Sequence, residues 1–128
     1  MVNTASKCGL APELKGLERL YKKYHQEGLN IVGFPCQQFR QEVKNSQQAQ
    51  HYCQLHYGVT FPMTKMIKVN GKNANPIFKY LKKVSGRGWI KWNYTKFLIG
   101  RDGHLIHRYS PLTSPMKMEK EIVKALKE

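Results

Sequence analysis

The sequence predicts an α/β domain in which helices and strands alternate along the chain and pack in layers. Apolar residues recur at helical spacing in four segments, and short apolar runs between them are typical of buried strands. Glycine, proline or asparagine stands at most of the junctions. With 128 residues and 41% hydrophobic content, the chain is long and apolar enough for one domain with its own core.

The first helix and the first apolar run are bounded by clear signals. Pro12 suits the first turn of a helix, and Gly28 suits its end. Between them, apolar residues recur at helical spacing: Leu14, Leu17, Leu20, Tyr21 and Tyr24. Residues 29–34 then predict a buried strand, and Pro35 ends it. A short extended segment at residues 1–4 precedes this unit.

The middle of the chain predicts a helix, a short strand and another helix. Residues 39–45 are a polar loop, and Asn45 or Ser46 caps a helix over about residues 47–57, which Gly58 closes. Residues 66–69 predict a strand before a turn. A third helix opens at Asn75-Pro76, with its inward side formed by Ile77, Phe78, Leu81 and Val84.

The last third predicts a β-hairpin and a final helix. Residues 97–99 and 104–109 form the two strands, separated by a turn that contains two glycines. Thr113 or Ser114 caps the last helix, which has Pro115 in its first turn. Its apolar side is formed by Ile122, Val123 and Leu126.

The chain is strongly basic, with 22 Lys and Arg against 8 Asp and Glu and a net charge of +14. Such a charge suits nucleic acid, an anionic membrane surface, an acidic protein partner or solubility alone. The basic residues are spread out rather than clustered, no nucleic-acid-binding motif is present, and the aromatic residues fall at predicted core positions. We therefore expect no nucleic-acid partner.

Three cysteines, Cys8, Cys36 and Cys53, form neither an even disulfide framework nor a metal-ligand pattern. His104 and His107 would lie on opposite faces of a strand, so we expect no metal site. No leader-like run or stretch of membrane-spanning length is visible, which makes the cytoplasm the expected location. In a reducing compartment, catalytic or redox roles for cysteine are favoured over structural ones.

Cys8 lies between an extended segment and the start of a helix, where unpaired backbone N–H groups favour the nucleophilic thiolate. Three motifs accompany it in order: N-x-A-S-K-C-G-L at residues 3–10, G-F-P-C-x-Q-F at residues 33–39 and K-W-N-Y-T-K-F-L at residues 91–98. The tail R-Y-x-P-x-T-x-P at residues 108–115 also fits. With these motifs the chain resembles the glutathione peroxidases, over essentially its whole length.

The resemblance implies a thioredoxin-like fold, a central mixed sheet flanked by helices, and a peroxidatic cysteine at Cys8. It also implies that Gln38, Trp92 and Asn93 complete a catalytic tetrad. Family members reduce hydrogen peroxide and organic or lipid hydroperoxides, including those at a membrane surface, and the cysteine becomes a sulfenic acid. Amide and indole N–H groups suit this chemistry because they stabilise anions without titrating. From the residues alone, a solvent-facing Gln38 and a core Trp92 are the favoured interpretations, and the resemblance reverses this preference.

The resemblance also implies how the enzyme is recycled. Cys53 stands where thioredoxin-dependent members carry a resolving cysteine, which would form a disulfide with Cys8 after local unwinding of its helix. Thioredoxin, or alternatively glutathione, is then the reducing co-substrate, and no bound cofactor is expected. A buried structural thiol is the other interpretation of Cys53, and Cys36 is expected to pack in the core. Lys7 and Lys96 lie beside the motifs and are candidates for lowering the thiol pKa.

The chain departs from the family pattern in three places. Gln37 and Arg40 replace the usual Asn and Gly, and the loop after them is about a residue short, which affects how Gln38 is presented. The short loop at residues 85–88 predicts a monomer. Residues 1–128 are expected to form a single domain that lacks the usual N-terminal hairpin and most of the first central strand. This leaves a non-catalytic, partner-binding or oxidant-sensing domain as an alternative.

Overall fold

The computed structural model describes residues 1–128, in which four helices flank a four-stranded sheet. The helices are α1 (Glu13–Tyr24), α2 (Ser46–Tyr57), α3 (Pro76–Ser85) and α4 (Pro115–Leu126). The strands are β1 (Val2–Thr4), β2 (Gly33–Pro35), β3 (Lys96–Ile99) and β4 (Leu105–Tyr109). None of the helices has the length and apolar character needed to cross a bilayer.

The sheet is mixed, with the strand order β2-β1-β3-β4. β1 runs parallel to β2, with Asn3 opposite Phe34, and antiparallel to β3, where Val2 faces Lys96. β3 and β4 form the predicted hairpin. β1 therefore lies between two strands although it is only three residues long, and its carboxyl end leads directly into the Cys8 turn.

The sheet separates two apolar clusters. Phe97 and Leu98 are consecutive in β3 and belong to different clusters, because successive side chains of a strand point to opposite faces. The larger cluster joins α1 and α4 and contains both Cys8 and Cys53, whereas Cys36 packs in the smaller cluster with α3. The predicted core position of Cys36 is thus confirmed.

The predicted helix ends are confirmed by their caps. The Asn45 side chain accepts a hydrogen bond from Gln48 N at 2.9 Å, and Gly58 ends α2 with a φ of 66°. α1 is followed by a 3-10 turn that ends at Gly28, whose φ is 117°. An added Cβ at Gly28 would lie 2.9 Å from the Arg101 guanidinium, which ends a long side chain that can move aside, so the positive φ is what requires glycine there.

Two predicted strands are shorter than the apolar runs suggested. Of residues 29–34, only the part from Gly33 onward lies in β2, because regular pairing extends only along the three residues of β1. In the 66–69 segment a single bridge joins Ile67 to Cys36. The N–H group of Val69 is used by a side chain instead of a neighbouring strand.

The inward side predicted for α3 is half wrong. Phe78 and Leu81 are buried, but Ile77 and Val84 are 42% and 47% exposed. The sheet covers only a narrow stripe of this helix, so apolar residues flanking that stripe reach solvent.

Candidate active site

Cys8 lies in the turn between β1 and α1, and its side chain is buried at 5% exposure. The Leu10 backbone N–H donates a hydrogen bond to Sγ over 3.4 Å. Ala11 N donates to the carbonyl oxygen of Cys8 at 2.9 Å, which closes the turn. The structure thus places one backbone N–H donor against the sulfur, at the turn where the sequence position suggested such donors.

The segment at residues 41–43 holds the Cys8 turn from the other side. Lys7 N donates to the Gln41 carbonyl oxygen at 2.8 Å, and Ser6 N donates to Glu42 Oε1 at 2.9 Å. The same Glu42 oxygen accepts from Val43 N at 2.9 Å. The backbone N–H groups of the two residues that precede Cys8 are therefore bound by a neighbouring loop, one by a main-chain carbonyl and one by a carboxylate.

Glu42 is a buried acid that sequence reasoning missed. It is only 9% exposed, and its second oxygen, Oε2, has no hydrogen-bond partner. Sequence patterns placed it in a polar loop, where a charged residue attracts no attention. The one signal that could have drawn attention to Glu42 is the scarcity of acidic residues, of which the chain has eight against 22 basic ones.

Gln38 is held by the loop at residues 69–70. Its Oε1 accepts hydrogen bonds from Val69 N at 2.7 Å and from Asn70 N at 2.9 Å, and its Nε2 donates to Asn70 O at 2.9 Å. The Cys36 thiol also lies 3.8 Å from Oε1. Both ends of the amide are therefore bonded to residues 69–70, and no hydrogen bond joins Gln38 to Cys8.

Arg40, which stands where the family pattern has glycine, has an unusual backbone conformation. Arg40 has a φ of 60°, in the left-handed region that glycine adopts without strain. An L side chain there costs about 1 kcal/mol. At the position where the family pattern has glycine, Arg40 therefore adopts a backbone conformation that its side chain disfavours.

Trp92 and Asn93 are tied to β1 by the buried side chain of Asn3. Asn3 Nδ2 donates to Trp92 O at 3.1 Å, and Asn3 Oδ1 accepts from Thr95 N at 3.1 Å. The Trp92 ring packs at 5.6 Å from Phe39 and is partly exposed, with its indole N–H free of protein partners. Trp92 is therefore a partly exposed residue. The interpretation of Trp92 as a core aromatic, which the residues alone allowed, is not what the structure shows.

Asn93 is completely buried and contacts the loop that holds the Cys8 turn. Its Nδ2 donates to Gln41 Oε1 over 3.4 Å, and its Oδ1 has no hydrogen-bond partner. Gln41 is in turn bonded through its backbone oxygen to Lys7 N, so a single residue, Gln41, links Asn93 to the Cys8 turn. The structure brings Asn93 to this turn and leaves Gln38 outside it.

Cys53 lies on α2, is fully buried and packs in the same apolar cluster as Cys8. Burial, reinforced by the negative charge of Glu42, raises the pKa of the Cys53 thiol to about 12. The Ser6 hydroxyl lies beside the thiol and lowers this pKa slightly, although it makes no hydrogen bond of normal geometry. Cys53 thus packs beside the residue two positions before Cys8.

The raised pKa predicts a loss of stability at alkaline pH. Below about pH 9 the Cys53 thiol is protonated in both the folded and the unfolded chain, whereas between 9 and 12 only the unfolded chain ionises. Each pH unit in that window therefore favours unfolding by about 1.4 kcal/mol. Urea unfolding between pH 8 and pH 11 with reductant present is expected to show this loss in the wild type. A Cys53→Ala variant has no thiol at this position, so its free energy of unfolding should fall less with pH. If the free energies of the two proteins fall equally between pH 8 and pH 11, the raised pKa of Cys53 is contradicted.

The Lys96 ammonium is bound by groups other than the Cys8 thiol. Its Nζ forms an ion pair with Glu13 at 2.5 Å and donates to the carbonyl oxygens of Thr113 at 2.7 Å and Pro111 at 3.1 Å. The ammonium therefore joins α1 to the loop before α4. The expectation that Lys96 acts on the Cys8 thiol is wrong, because its ammonium is bound to Glu13 and to the loop before α4. Lys7, the other candidate, is exposed.

Comparison with known proteins agrees with the motifs. A family model described as glutathione peroxidase matches residues 1–82. The glutathione peroxidase of Lactococcus lactis subsp. cremoris is 53% identical over 130 residues, covering 98% of this chain and 83% of the relative. The glutathione peroxidase-like peroxiredoxin HYR1 of Saccharomyces cerevisiae is 48% identical over 133 residues, covering 100% of this chain and 82% of the relative.

Solved structures show the same fold. The crystal structure of Trgpx in apo form superposes with a TM-score of 0.77 at 40% identity, covering 99% of this chain and 78% of that chain. T. cruzi GPX1 superposes with a TM-score of 0.76 at 32% identity, covering 98% of this chain and 79% of that chain. The predicted mixed sheet with flanking helices is confirmed.

Proposed function

Because the chain belongs to the glutathione peroxidase family, we propose that it is a thiol peroxidase whose nucleophile is Cys8. The Cys8 thiolate attacks the terminal oxygen of a hydroperoxide and the O–O bond breaks. The other oxygen leaves with a proton as water or an alcohol, and Cys8 becomes a sulfenic acid. The observation that carries this proposal is the buried Cys8 sulfur, which accepts a backbone hydrogen bond in a turn fixed on both sides.

Gln38, Trp92 and Asn93 are proposed as neutral donors for the thiolate and the departing oxygen. The free indole N–H of Trp92 and the buried position of Asn93 beside the turn support this role. Gln38 takes part only if its amide exchanges the hydrogen bonds that now hold it to residues 69–70. Neutral donors suit the reaction because they add no competing titration near the sulfur.

Cys53 is proposed to resolve the sulfenic acid. The Cys53 thiol displaces the Cys8 hydroxyl, an S–S bond forms and water leaves; a dithiol reductant then reopens the bond by exchange. Only Ala49 and Cys53 of α2 are buried, so few apolar contacts hold this helix. Local unfolding of α2 therefore requires little free energy. Opening also removes the burial that keeps the Cys53 thiol protonated.

Thioredoxin is the proposed reductant because Cys53 offers a resolving cysteine, and relatives such as HYR1 are named peroxiredoxins. Glutathione is the alternative, in line with relatives named glutathione peroxidase. We propose hydrogen peroxide and organic hydroperoxides as substrates. The exposed ring of Trp89 beside Trp92 and Lys91 favours lipid hydroperoxides at a membrane surface as a further substrate. A monomer of one domain spanning residues 1–128, located in the reducing cytoplasm, completes the proposal.

The role of Cys53 in reduction by thioredoxin is tested by measuring peroxide turnover of the Cys53→Ser variant. With thioredoxin and its reductase, we expect NADPH oxidation to fall at least about tenfold, because the sulfenic acid no longer becomes a disulfide that thioredoxin opens. Cys36→Ser is the matched control and is expected to stay within about twofold of the wild type, since Cys36 packs in the other cluster. Undiminished thioredoxin-coupled turnover in Cys53→Ser would show that Cys53 is not the resolving cysteine.

A further inference from the structure

The three residues that lead into Cys8 are each held from outside the turn. A neighbouring loop binds the backbone N–H groups of Ser6 and Lys7. The backbone of Ala5 is bound instead by the Tyr94 hydroxyl, which donates to Ala5 O at 2.9 Å and accepts from Ala5 N at 3.4 Å. Ala5 is completely buried and its main chain makes no other hydrogen bond, so a single hydroxyl group satisfies both of its polar groups.

Tyr94 is itself held in place by its ring and by its backbone. It is completely buried, and its ring packs in the larger apolar cluster, which also contains Cys8 and Cys53. Its backbone N–H donates to Asn3 O at 2.7 Å, and its φ of 65° lies in the left-handed region. A residue other than glycine keeps such a φ only where its surroundings impose it. The hydroxyl therefore reaches Ala5 from a fixed position.

The Tyr94 hydroxyl stays protonated over the pH range in which a thiol peroxidase works. Burial raises the pKa of Tyr94 well above the usual value for tyrosine, and negative charge on the neighbouring Cys53, Glu42 or Cys8 raises it further. A neutral hydroxyl donates one hydrogen bond and accepts others. It therefore bonds both main-chain groups of Ala5 whatever the charge of the sulfur.

We propose that Tyr94 is a positioning residue for Cys8: its hydroxyl fixes the chain where it enters the turn and so keeps the sulfur against the Leu10 N–H. The inference rests on the proposed peroxidase function. Without the hydroxyl, the buried N–H and C=O groups of Ala5 lose their partner, and buried polar groups without partners are costly. The chain is then expected to shift until these groups are paired, and Cys8 shifts with it. Attack on an O–O bond depends on close alignment of the sulfur, so the shift slows the reaction.

The experiment compares Tyr94→Phe with a matched control, Tyr109→Phe. Tyr109 is buried in the same apolar cluster, but its hydroxyl donates to Glu121 on α4. Each substitution removes one oxygen atom and keeps the ring. Two rates are measured for Cys8 in the reduced wild type and in both variants: sulfenic acid formation with hydrogen peroxide, and alkylation by iodoacetamide. All proteins are kept in sucrose, which favours the folded state.

We expect Tyr94→Phe to form sulfenic acid about 10- to 100-fold more slowly, because a small displacement of a reacting atom has effects of this size. Alkylation of Cys8 is expected to stay within about threefold of the wild type, since it needs a reactive thiol but no aligned O–O bond. Tyr109→Phe is expected to keep both rates within about twofold of the wild type, because its hydroxyl bonds to α4. An unchanged peroxide rate in Tyr94→Phe would overturn the proposal. An equal fall of both its rates, or equal slowing in the two variants, would show general damage to the fold and overturn it as well.

Hydrogen exchange in the wild type tests the contact without a variant. The Ala5 amide is expected to exchange at least about 10³-fold more slowly than an exposed amide, because it is buried and bonded to Tyr94. Exchange at the rate of an exposed loop would contradict the proposed contact. Failure of the peroxidase function has a different signature, because Cys8 of the wild type would then form no sulfenic acid.

Discussion

Replacing Cys8 with serine is expected to reduce peroxide turnover by at least about 10³-fold, since a nucleophile removed from an enzyme leaves little of the catalysis that depends on it. The hydroxyl does not ionise near neutral pH and has no sulfur lone pair with which to attack the O–O bond. The buried turn is retained in the variant because serine is close in size to cysteine. The measurement is hydrogen peroxide consumption with thioredoxin and its reductase.

Cys36→Ser provides the comparison for that result. Both cysteines are buried and free, but Cys36 lies in the smaller apolar cluster beside Gln38. If the two serine variants lose activity equally, the loss reflects damage to folding rather than loss of the nucleophile. Full turnover by Cys8→Ser would exclude the mechanism.

Replacing Lys96 with methionine is expected to lower the free energy of unfolding by about 3–5 kcal/mol, the range for breaking one side of a buried ion pair. The Lys96 side chain is 1% exposed and faces Glu13, which is 14% exposed. Its removal leaves the Glu13 carboxylate and the carbonyl oxygens of Pro111 and Thr113 without their donor. Urea unfolding at pH 7 measures the change.

The charged pair itself is not a large source of stability. Burial lowers the pKa of Lys96 and raises the pKa of Glu13, so burial acts against the charged form of both groups. The double variant Lys96→Met with Glu13→Gln is therefore expected to recover most of the loss. Lys120→Met, at an exposed position, should change stability by less than about 0.5 kcal/mol. A loss below about 1 kcal/mol in Lys96→Met would show that water replaces the ammonium.

The parts of the fold that local signals define were predictable from the sequence. Asn45 with Gly58 and Ser114 with Pro115 bound their helices as the caps suggest, because a cap depends on a few neighbouring residues. The strand at residues 66–69 was not predictable in the same way. Within it, the N–H group of Val69 donates to Gln38 Oε1 and that of Ile67 donates to Pro35 O, and both acceptors lie about thirty residues earlier in the chain.

The site shows the same division between local and distant causes. The position of Cys8 in a turn before a helix follows from the chain on either side of it. The burial of Glu42 and the pairing of Gln41 with Asn93 depend on loops more than thirty residues apart, and single-sequence patterns do not report such contacts. Lys96 illustrates the opposite error: it is adjacent to the motif in sequence, yet its ammonium faces Glu13 instead of the thiol.

The most direct test of the account is mass spectrometry of the reduced protein after one equivalent of hydrogen peroxide. Peptides are separated after alkylation of the remaining thiols, so the sulfurs that react are identified individually. We expect a disulfide between Cys8 and Cys53 with Cys36 still alkylated, and a Cys8 sulfenic acid that persists in Cys53→Ser. An unmodified Cys8, with oxidation confined to Cys36, Cys53 or methionine, would contradict the account.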